Sequence, residues 1–270
     1  MKNLNRKNVV ITGAASGIGK TLAYAFAKER ANLALIDIDR KKLEDVERDL
    51  DQRRVKVYGY RCDISNPNDM VKTYKMILNQ FDSVDVLINN AGIVVGKEFI
   101  TSGYEEIKRV LDINLLGSIW MTRLVLPGML EKNSGTVVNI ASAAGMVGIP
   151  RLSDYCASKF GLVGFTDSLR LELKKMGCRG VHVTCVCPSF INTGMFQGFR
   201  KPLFSRVLSP EEVAGAVLKA VKKEKPYVRL PFVVKLIPFL KLLPTSLEDK
   251  LSYSLGLSRS MDHFHGGDSR

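Results

Sequence analysis

Val9-Val10-Ile11-Thr12-Gly13-Ala14-Ala15-Ser16-Gly17-Ile18-Gly19 is the stretch on which the fold of this chain turns. Its first half is a short β-branched run that reads as a strand covered on both faces, and its second half is a glycine turn entering a helical pattern. Glycines in such a turn let the backbone bend tightly and approach a pyrophosphate, which the free N–H groups and dipole of the next helix stabilise. The spacing is G-x-x-x-G-x-G, not the G-x-G-x-x-G of the general dinucleotide fingerprint, and a purely structural turn is the plainer alternative. Context argues for the nucleotide. Asp37 closes the second apolar run, 18 positions past Gly19, where a carboxylate accepts both ribose hydroxyls of an adenosine and repels a 2′-phosphate. NAD(H) is therefore favoured over NADP(H). Arg40 stands close enough to blur that choice, and Asp37-Ile38-Asp39 also reads as a turn or a helix cap.

Outward from this stretch, β-branched runs alternate with helical patterns. Strands are expected at Val9–Thr12, Asn32–Ile36, Val55–Tyr60, Val84–Ile88, Thr136–Ile140, Val181–Val186 and Tyr227–Leu230. Between them fall helices at Gly17–Arg30, Arg40–Asp51, Pro67–Gln80, Asp154–Met176 and Pro210–Lys223, with one long helix from about Tyr104 to Lys132. The alternation predicts an α/β fold: a doubly wound parallel sheet of about seven strands in a three-layer α/β/α arrangement of the Rossmann type. No repeat or linker divides residues 1–270, so one dinucleotide-binding domain is expected, with 194–270 forming a substrate lid and a basic, apolar extension. At 270 residues, 46% apolar and 25% charged, the chain excludes disorder, collagen-like repetition and a disulfide scaffold. Five scattered cysteines and the absence of a secretory leader predict a reduced, cytoplasmic compartment. The first strand begins within eight residues of Met1, so no N-terminal anchor is expected, and no uncharged apolar run reaches about 18 residues. His182, His263 and His265 make no metal-ligand spacing with Cys185-x-Cys187.

The chemistry concentrates in Tyr155-Cys-Ala-Ser-Lys159, thirteen residues past Ser142. Tyr and Lys at i and i+4 share a helical face, so an ammonium can sit near the phenol and lower its pKa from roughly 10 toward working pH. Tyr155 thereby becomes a candidate general acid/base. Ser142 directly follows a strand, at the carboxyl edge where such sheets bind ligands, and its hydroxyl can bond a substrate oxygen.

With these motifs in order, the sequence resembles the short-chain dehydrogenase/reductase family over almost all of its length to about Thr193. Thr12–Gly19 matches that family's T-G-x-x-x-G-x-G turn, Asn89-Asn90-Ala91-Gly92 its N-N-A-G, and Asn114, Ser142, Tyr155 and Lys159 its catalytic tetrad. The resemblance implies cofactor contacts at Gly13, Ser16, Gly17, Ile18, Gly19, Asp37, Asp63, Ile64, Asn90, Ala91, Gly92, Tyr155, Lys159, Pro188 and Thr193. It also implies the reaction: Tyr155 exchanges a proton with the substrate hydroxyl or carbonyl, Ser142 polarises that oxygen, Lys159 also holds the nicotinamide ribose, and Asn114 extends a water relay. One departure is Cys187-Pro188-Ser189, where the family usually has Pro-Gly. This variant and Asn192-Thr193-Gly194-Met195 look like the branch holding 17β-hydroxysteroid dehydrogenase type 11-like and retinol dehydrogenase 10-like enzymes. A homodimer or homotetramer, paired through the helices at 104–132 and 154–176, is the family's habit.

The formal net charge is +13, and between Arg200 and Lys241 ten basic residues face three acidic ones. This leads into Leu230-Pro-Phe-Val-Val-Lys-Leu-Ile-Pro-Phe-Leu-Lys-Leu-Leu-Pro244, whose prolines forbid one long helix. Such a segment either lies peripherally in a membrane interface or covers the cleft and packs as core. Apolar residues at the cleft entrance favour a lipophilic alcohol, ketone or aldehyde of steroid, retinoid or fatty-chain type over a sugar. The alternatives are a 3-oxoacyl-[acyl-carrier-protein] reductase, against which Asp37 argues, and a dinucleotide sensor, which has no use for Ser142, Tyr155 and Lys159. No nucleic-acid-reading motif accompanies the charge.

Overall fold

The computed structural model describes residues 1–51, 55–203 and 205–264; His265 lies outside them. Strand β1 (Asn8–Thr12) is buried from Val9 onward because it is flanked on both edges and covered on both faces. It pairs in parallel with β2 (Asn32–Asp37) through Val9↔Leu33 and with β4 (Val86–Asn89) through Val9↔Val86. Adding β3 (Val57–Arg61), β5 (Gly135–Ile140), β6 (Val181–Pro188) and β7 (Tyr227–Leu230) gives one seven-stranded sheet in the order β3-β2-β1-β4-β5-β6-β7. All pairings between its strands are parallel. From β1 the chain winds outward to β3 and then returns to β4. The order therefore reverses between β1 and β4, which opens a crevice at the carboxyl ends of the strands.

Two apolar layers fill the faces. On one, Leu22 and Phe26 of α1 (Gly17–Lys28), Leu43 and Val46 of α2 (Arg40–Asp51) and Val213 and Val217 of α7 (Pro210–Lys223) cover Val9, Ile11, Leu33 and Leu35. On the other, Met70 and Ile77 of α3 (Pro67–Gln80), Met121 and Val125 of α5 (Gly117–Glu131) and Leu169 of α6 (Ser153–Lys175) cover Val10, Ile36, Leu87 and Val137. Each fully buried Leu, Ile or Phe contributes about 1.5–3 kcal/mol by leaving water. Helix starts are set locally: the Asn66 side chain accepts from the N–H groups of Asn68 and Asp69, and Ser209 and Glu212 form a reciprocal capping box.

The expected element order holds, with several boundaries shifted by one or two residues, as at β3, β4 and the end of α1, and with larger differences elsewhere. The helix expected from Tyr104 to Lys132 is α4 (Tyr104–Leu111) and α5 joined by a π-turn at Asp112–Leu116. By length and composition, Tyr104–Glu131 passes for a membrane span; one of its faces packs on the sheet, where Asn89 of β4 donates to the Ser118 carbonyl and the Thr122 hydroxyl, both residues buried. Strand β6 runs on to Pro188, which pairs with Leu230. The proline-broken segment forms a 3₁₀ turn at Phe232–Leu236 and the short α8 (Ile237–Leu240), and α9 (Thr245–Ser254) follows, an element the sequence pattern did not announce.

Candidate active site

The glycine turn and the loop after β4 are one unit. The Thr12 hydroxyl oxygen accepts from the backbone N–H groups of Asn90 (2.9 Å) and Ala91 (3.1 Å), and the Asn90 amide donates to the carbonyls of Thr12 (3.0 Å) and Gly13 (3.1 Å). Gly13 has φ +65, and a Cβ there would come within 2.8 Å of the Ala91 Cα; a Cβ at Gly19 would fall on the Gly13 carbonyl oxygen. Only glycine fits either place. Ser16 heads α1 in extended conformation with no side-chain cap, so its hydroxyl does not occupy the N–H groups of the first turn. This cradle of free N–H groups, with Ile18 inside it, fits a pyrophosphate.

Asp37 is held beside the turn, its Oδ2 accepting from Ala15 N (2.9 Å) and its Oδ1 from Asp39 N (3.0 Å). Arg40 turns elsewhere, onto Glu44, Glu47 and the Gly59 carbonyl. Asp63 accepts from the N–H and hydroxyl of Ser65 through one oxygen, and buried Ile64 packs against Gly117 at the start of α5. At the other end of the crevice Thr193 lies over Gly17, 3.3 Å from where a Cβ would stand, and Pro188 closes β6. The residues assigned to a dinucleotide thus line one continuous path along the carboxyl edge.

The four expected catalytic side chains also converge. Lys159 is buried, and its Nζ donates to the Ile140 carbonyl at 3.0 Å while lying 5.6 Å from the centre of the Tyr155 ring. Ser142 follows β5 and caps the 3₁₀ turn Ala143–Gly145, accepting from Ala144 N at 3.1 Å. Asn114 occupies the π-turn. Its amide donates to the Ile93 carbonyl (2.9 Å) and the Ser158 hydroxyl (3.2 Å), and its oxygen accepts from Ile93 N (2.8 Å). Its side chain therefore fastens the loop that follows Gly92. One expectation is corrected: the phenol does not titrate below its ordinary value. Burial pushes Tyr155 up to about 12, against the pull of the Ser142 hydroxyl, and burial brings the Lys159 ammonium down to about 8. The reason is steric. The Phe196 ring stands edge-on to Tyr155, with centroids 5.9 Å apart, and the lysine's hydrogen bond goes to a carbonyl.

Ser142 and Tyr155 open into a cleft enclosing about 740 Å³, part of it open to solvent. Apart from Ser189 and Ser205, its walls are otherwise apolar, from Val147, Ile149 and Leu152 on one side to Val233, Val234 and Ile237 on another. Ser189, at the position that departs from the Pro-Gly pattern, also lines it, and its hydroxyl has no hydrogen-bond partner among the described residues. The loop after Thr193 folds over the cleft: Phe190 stacks on Phe199 (4.3 Å) and meets Phe196 edge-on (5.6 Å). That loop is tied to the tail, since Arg200 N donates to Ser260 O (2.8 Å) and Leu203 N to Leu255 O (2.9 Å). Arg151, four residues before Tyr155, donates in turn to the Met261 carbonyl at 2.7 Å. The expected lid after Gly194 supplies part of this wall; sequence reading did not name the individual residues because they come from four stretches far apart in the chain, between Ser142 and Tyr155, Ser189 and Ser205, Val233 and Ile237, and Leu255 and Leu257. The only local sign was apolar side chains set among glycines and prolines, as in Met146–Leu152. Among the described residues, no cluster of His, Cys, Asp and Glu suits a metal.

The chain is similar to known proteins in sequence and fold. A family model described as short chain dehydrogenase matches residues 7–203. The chain is 39% identical over 267 residues to short-chain dehydrogenase/reductase family 16C member 6 of Bos taurus, covering 97% of this chain and 84% of that one. It is 35% identical over 244 residues to estradiol 17-beta-dehydrogenase 11 of Macaca fascicularis, covering 90% and 81%. Among solved structures, a short-chain dehydrogenase/reductase from Burkholderia phymatum in complex with NAD superposes with a TM-score of 0.82 at 25% identity, over 96% of this chain and 98% of that one.

Proposed function

The chain belongs to the short-chain dehydrogenase/reductase family, in the branch of estradiol 17-beta-dehydrogenase 11, and is an alcohol-dehydrogenase-type oxidoreductase using a nicotinamide dinucleotide; from that premise we propose that it interconverts a lipophilic alcohol and its ketone or aldehyde, with NAD(H) preferred. The observation that carries the substrate class is the cleft, whose walls offer almost nothing polar beyond Ser142, Tyr155 and two further serines. A steroid, retinoid or fatty chain fills such a space, whereas a sugar would leave its hydroxyls unpaired. The cofactor preference is supported by the Asp37 carboxylate at the glycine turn and by the engagement of Arg40 elsewhere.

When bound, the nicotinamide gives or takes the hydride. Tyr155, neutral at pH 7 with its proton held to about 12, donates that proton to a substrate carbonyl, and Ser142 bonds the same oxygen. In the alcohol-oxidising direction, Lys159 as a cation beside the ring lowers the cost of the phenolate. Asn114 keeps the floor of the site in place through Ile93. The segment from Gly194 to the tail serves as lid. Tyr155→Phe is expected to lower kcat/KM by about 10²–10⁴-fold with cofactor affinity retained, measured against steroids, retinol and long-chain alcohols with NAD and with NADP. Unchanged hydride transfer would remove Tyr155 from its role. Equal turnover of polyols would remove the substrate class.

We also read the enzyme as peripheral to a membrane. The 3₁₀ turn and α8 present Val233, Val234 and Ile237 to the cleft and expose Phe232 (71%) and Phe239 (67%) outward, with Leu242 (79%) just past α8, beside Lys235 and Lys241. A lipophilic substrate would then pass from acyl chains to cleft across one short segment. Pairing into a homodimer or homotetramer is read from α6, which leaves Phe160 and Leu171 exposed, with Met176 exposed just past its end.

A further inference from the structure

Arg40 opens α2 three residues beyond Asp37 and is the cation placed to meet a phosphate on the adenosine ribose. Its guanidinium is committed in three directions. Nε donates to Glu44 Oε1 at 2.9 Å, Nη1 donates to the Gly59 carbonyl at 2.7 Å, and Nη1 lies 3.2 Å from Glu47 Oε2. Glu47 is anchored in its turn, because its Oε1 accepts from the Gly59 N–H at 2.5 Å. Gly59 has to lack a side chain for this, since a Cβ there would overlap the Glu47 carboxylate. Asp37, meanwhile, is oriented by the N–H groups of Ala15 and Asp39 and makes no pair with Arg40.

We propose that Glu44 and Glu47 are positioning residues for cofactor choice: they hold Arg40 against the backbone of β3, leaving the Asp37 carboxylate to face the adenosine ribose without a cation to offset it, so that a 2′-phosphate is rejected. The proposal rests on the reading that Asp37 faces that ribose. An exposed Arg–Glu pair alone would be too weak to restrain a guanidinium. Here one guanidinium meets two carboxylates and a carbonyl, and the more buried carboxylate, Glu47 at 23% exposure, is fixed by the main chain. Released, Arg40 would be free to swing toward the ribose and offer the bidentate fork that suits a phosphate.

The test uses the full chain and two cofactor fragments, adenosine 5′-monophosphate and adenosine 2′,5′-bisphosphate, titrated calorimetrically, with thermal melts to establish folding. Wild type is expected to favour the monophosphate. Glu44→Gln with Glu47→Gln should shift the ratio of the two affinities about tenfold toward the bisphosphate, the worth of one regained charge-assisted contact. The shift should shrink in high salt and vanish when Arg40→Ala is added. Glu44→Gln alone keeps the Glu47–Gly59 anchor and should give a smaller shift in the same direction. NADP and NAD kcat/KM ratios should follow. A folded double variant with an unmoved ratio overturns the proposal. So does a shift that survives Arg40→Ala, which would reflect lost repulsion alone. A wild type that itself favours the bisphosphate overturns the NAD reading along with it.

Discussion

At the scale of single residues, identity and protonation part company. Tyr155 and Lys159 were legible as a pair from their spacing of four. Their titration was not, because burial under Phe196 and the hydrogen bond to Ile140 come from distant segments. Lys159 carries a pH signature. Its ammonium is held at about 8 in the folded protein against an ordinary 10.5, so between those values the unfolded chain binds the proton and the folded one does not. Wild-type stability, measured against Lys159→Met by urea unfolding, should be flat below about pH 7. It should then rise with pH up to about 10.5 by on the order of 3 kcal/mol. A flat difference would mean the lysine is not desolvated. Gly13 gives a steric counterpart, legible as a turn residue but not as a contact with Ala91. Gly13→Ala should cost about 2 kcal/mol from its left-handed backbone and the crowding there, and remove the thermal stabilisation conferred by NAD; a melt with and without NAD measures both.

At the scale of elements, the strands and most helices follow from periodicity, because apolar runs flanked by turn residues have few alternatives. The π-turn at Asp112–Leu116 does not. Nothing in the local pattern separates it from the α-helix on either side, since it depends on Asn114 reaching the backbone of Ile93 and on Leu115 packing against Gly161 of α6. Such insertions frequently mark functional positions. Asn114→Leu keeps most of the volume but orphans the N–H and carbonyl of Ile93, and is expected to lower stability by about 2–4 kcal/mol. A denaturation midpoint within error of wild type would show that the loop after Gly92 holds itself.

At the scale of the molecule, the charge divides. Part of the basic excess after Arg200 is spent internally, in the pairs Arg206–Glu212, Lys222–Glu29 and Lys241–Glu248. What faces outward around α8 is apolar with a basic fringe. The full chain should therefore sediment with anionic vesicles, more weakly at high salt as screening shortens to a few ångströms. Phe239→Glu with Leu242→Glu should reduce binding at least tenfold while sparing turnover of a short soluble alcohol. Equal partitioning of wild type and variant would leave this face without a role in docking. The sequence by itself determined the α/β layering, the nucleotide turn and the family's reactive residues, because each is written in local spacing: β-branched runs, glycines before a helix, Tyr and Lys one turn apart. Only the tertiary structure decided which way Arg40 turns, that burial raises the Tyr155 phenol, and that four distant stretches, the tail among them, enclose an apolar cleft. Those properties depend on desolvation and on contacts between segments far apart in the chain, and such contacts exist only once the sheet has closed.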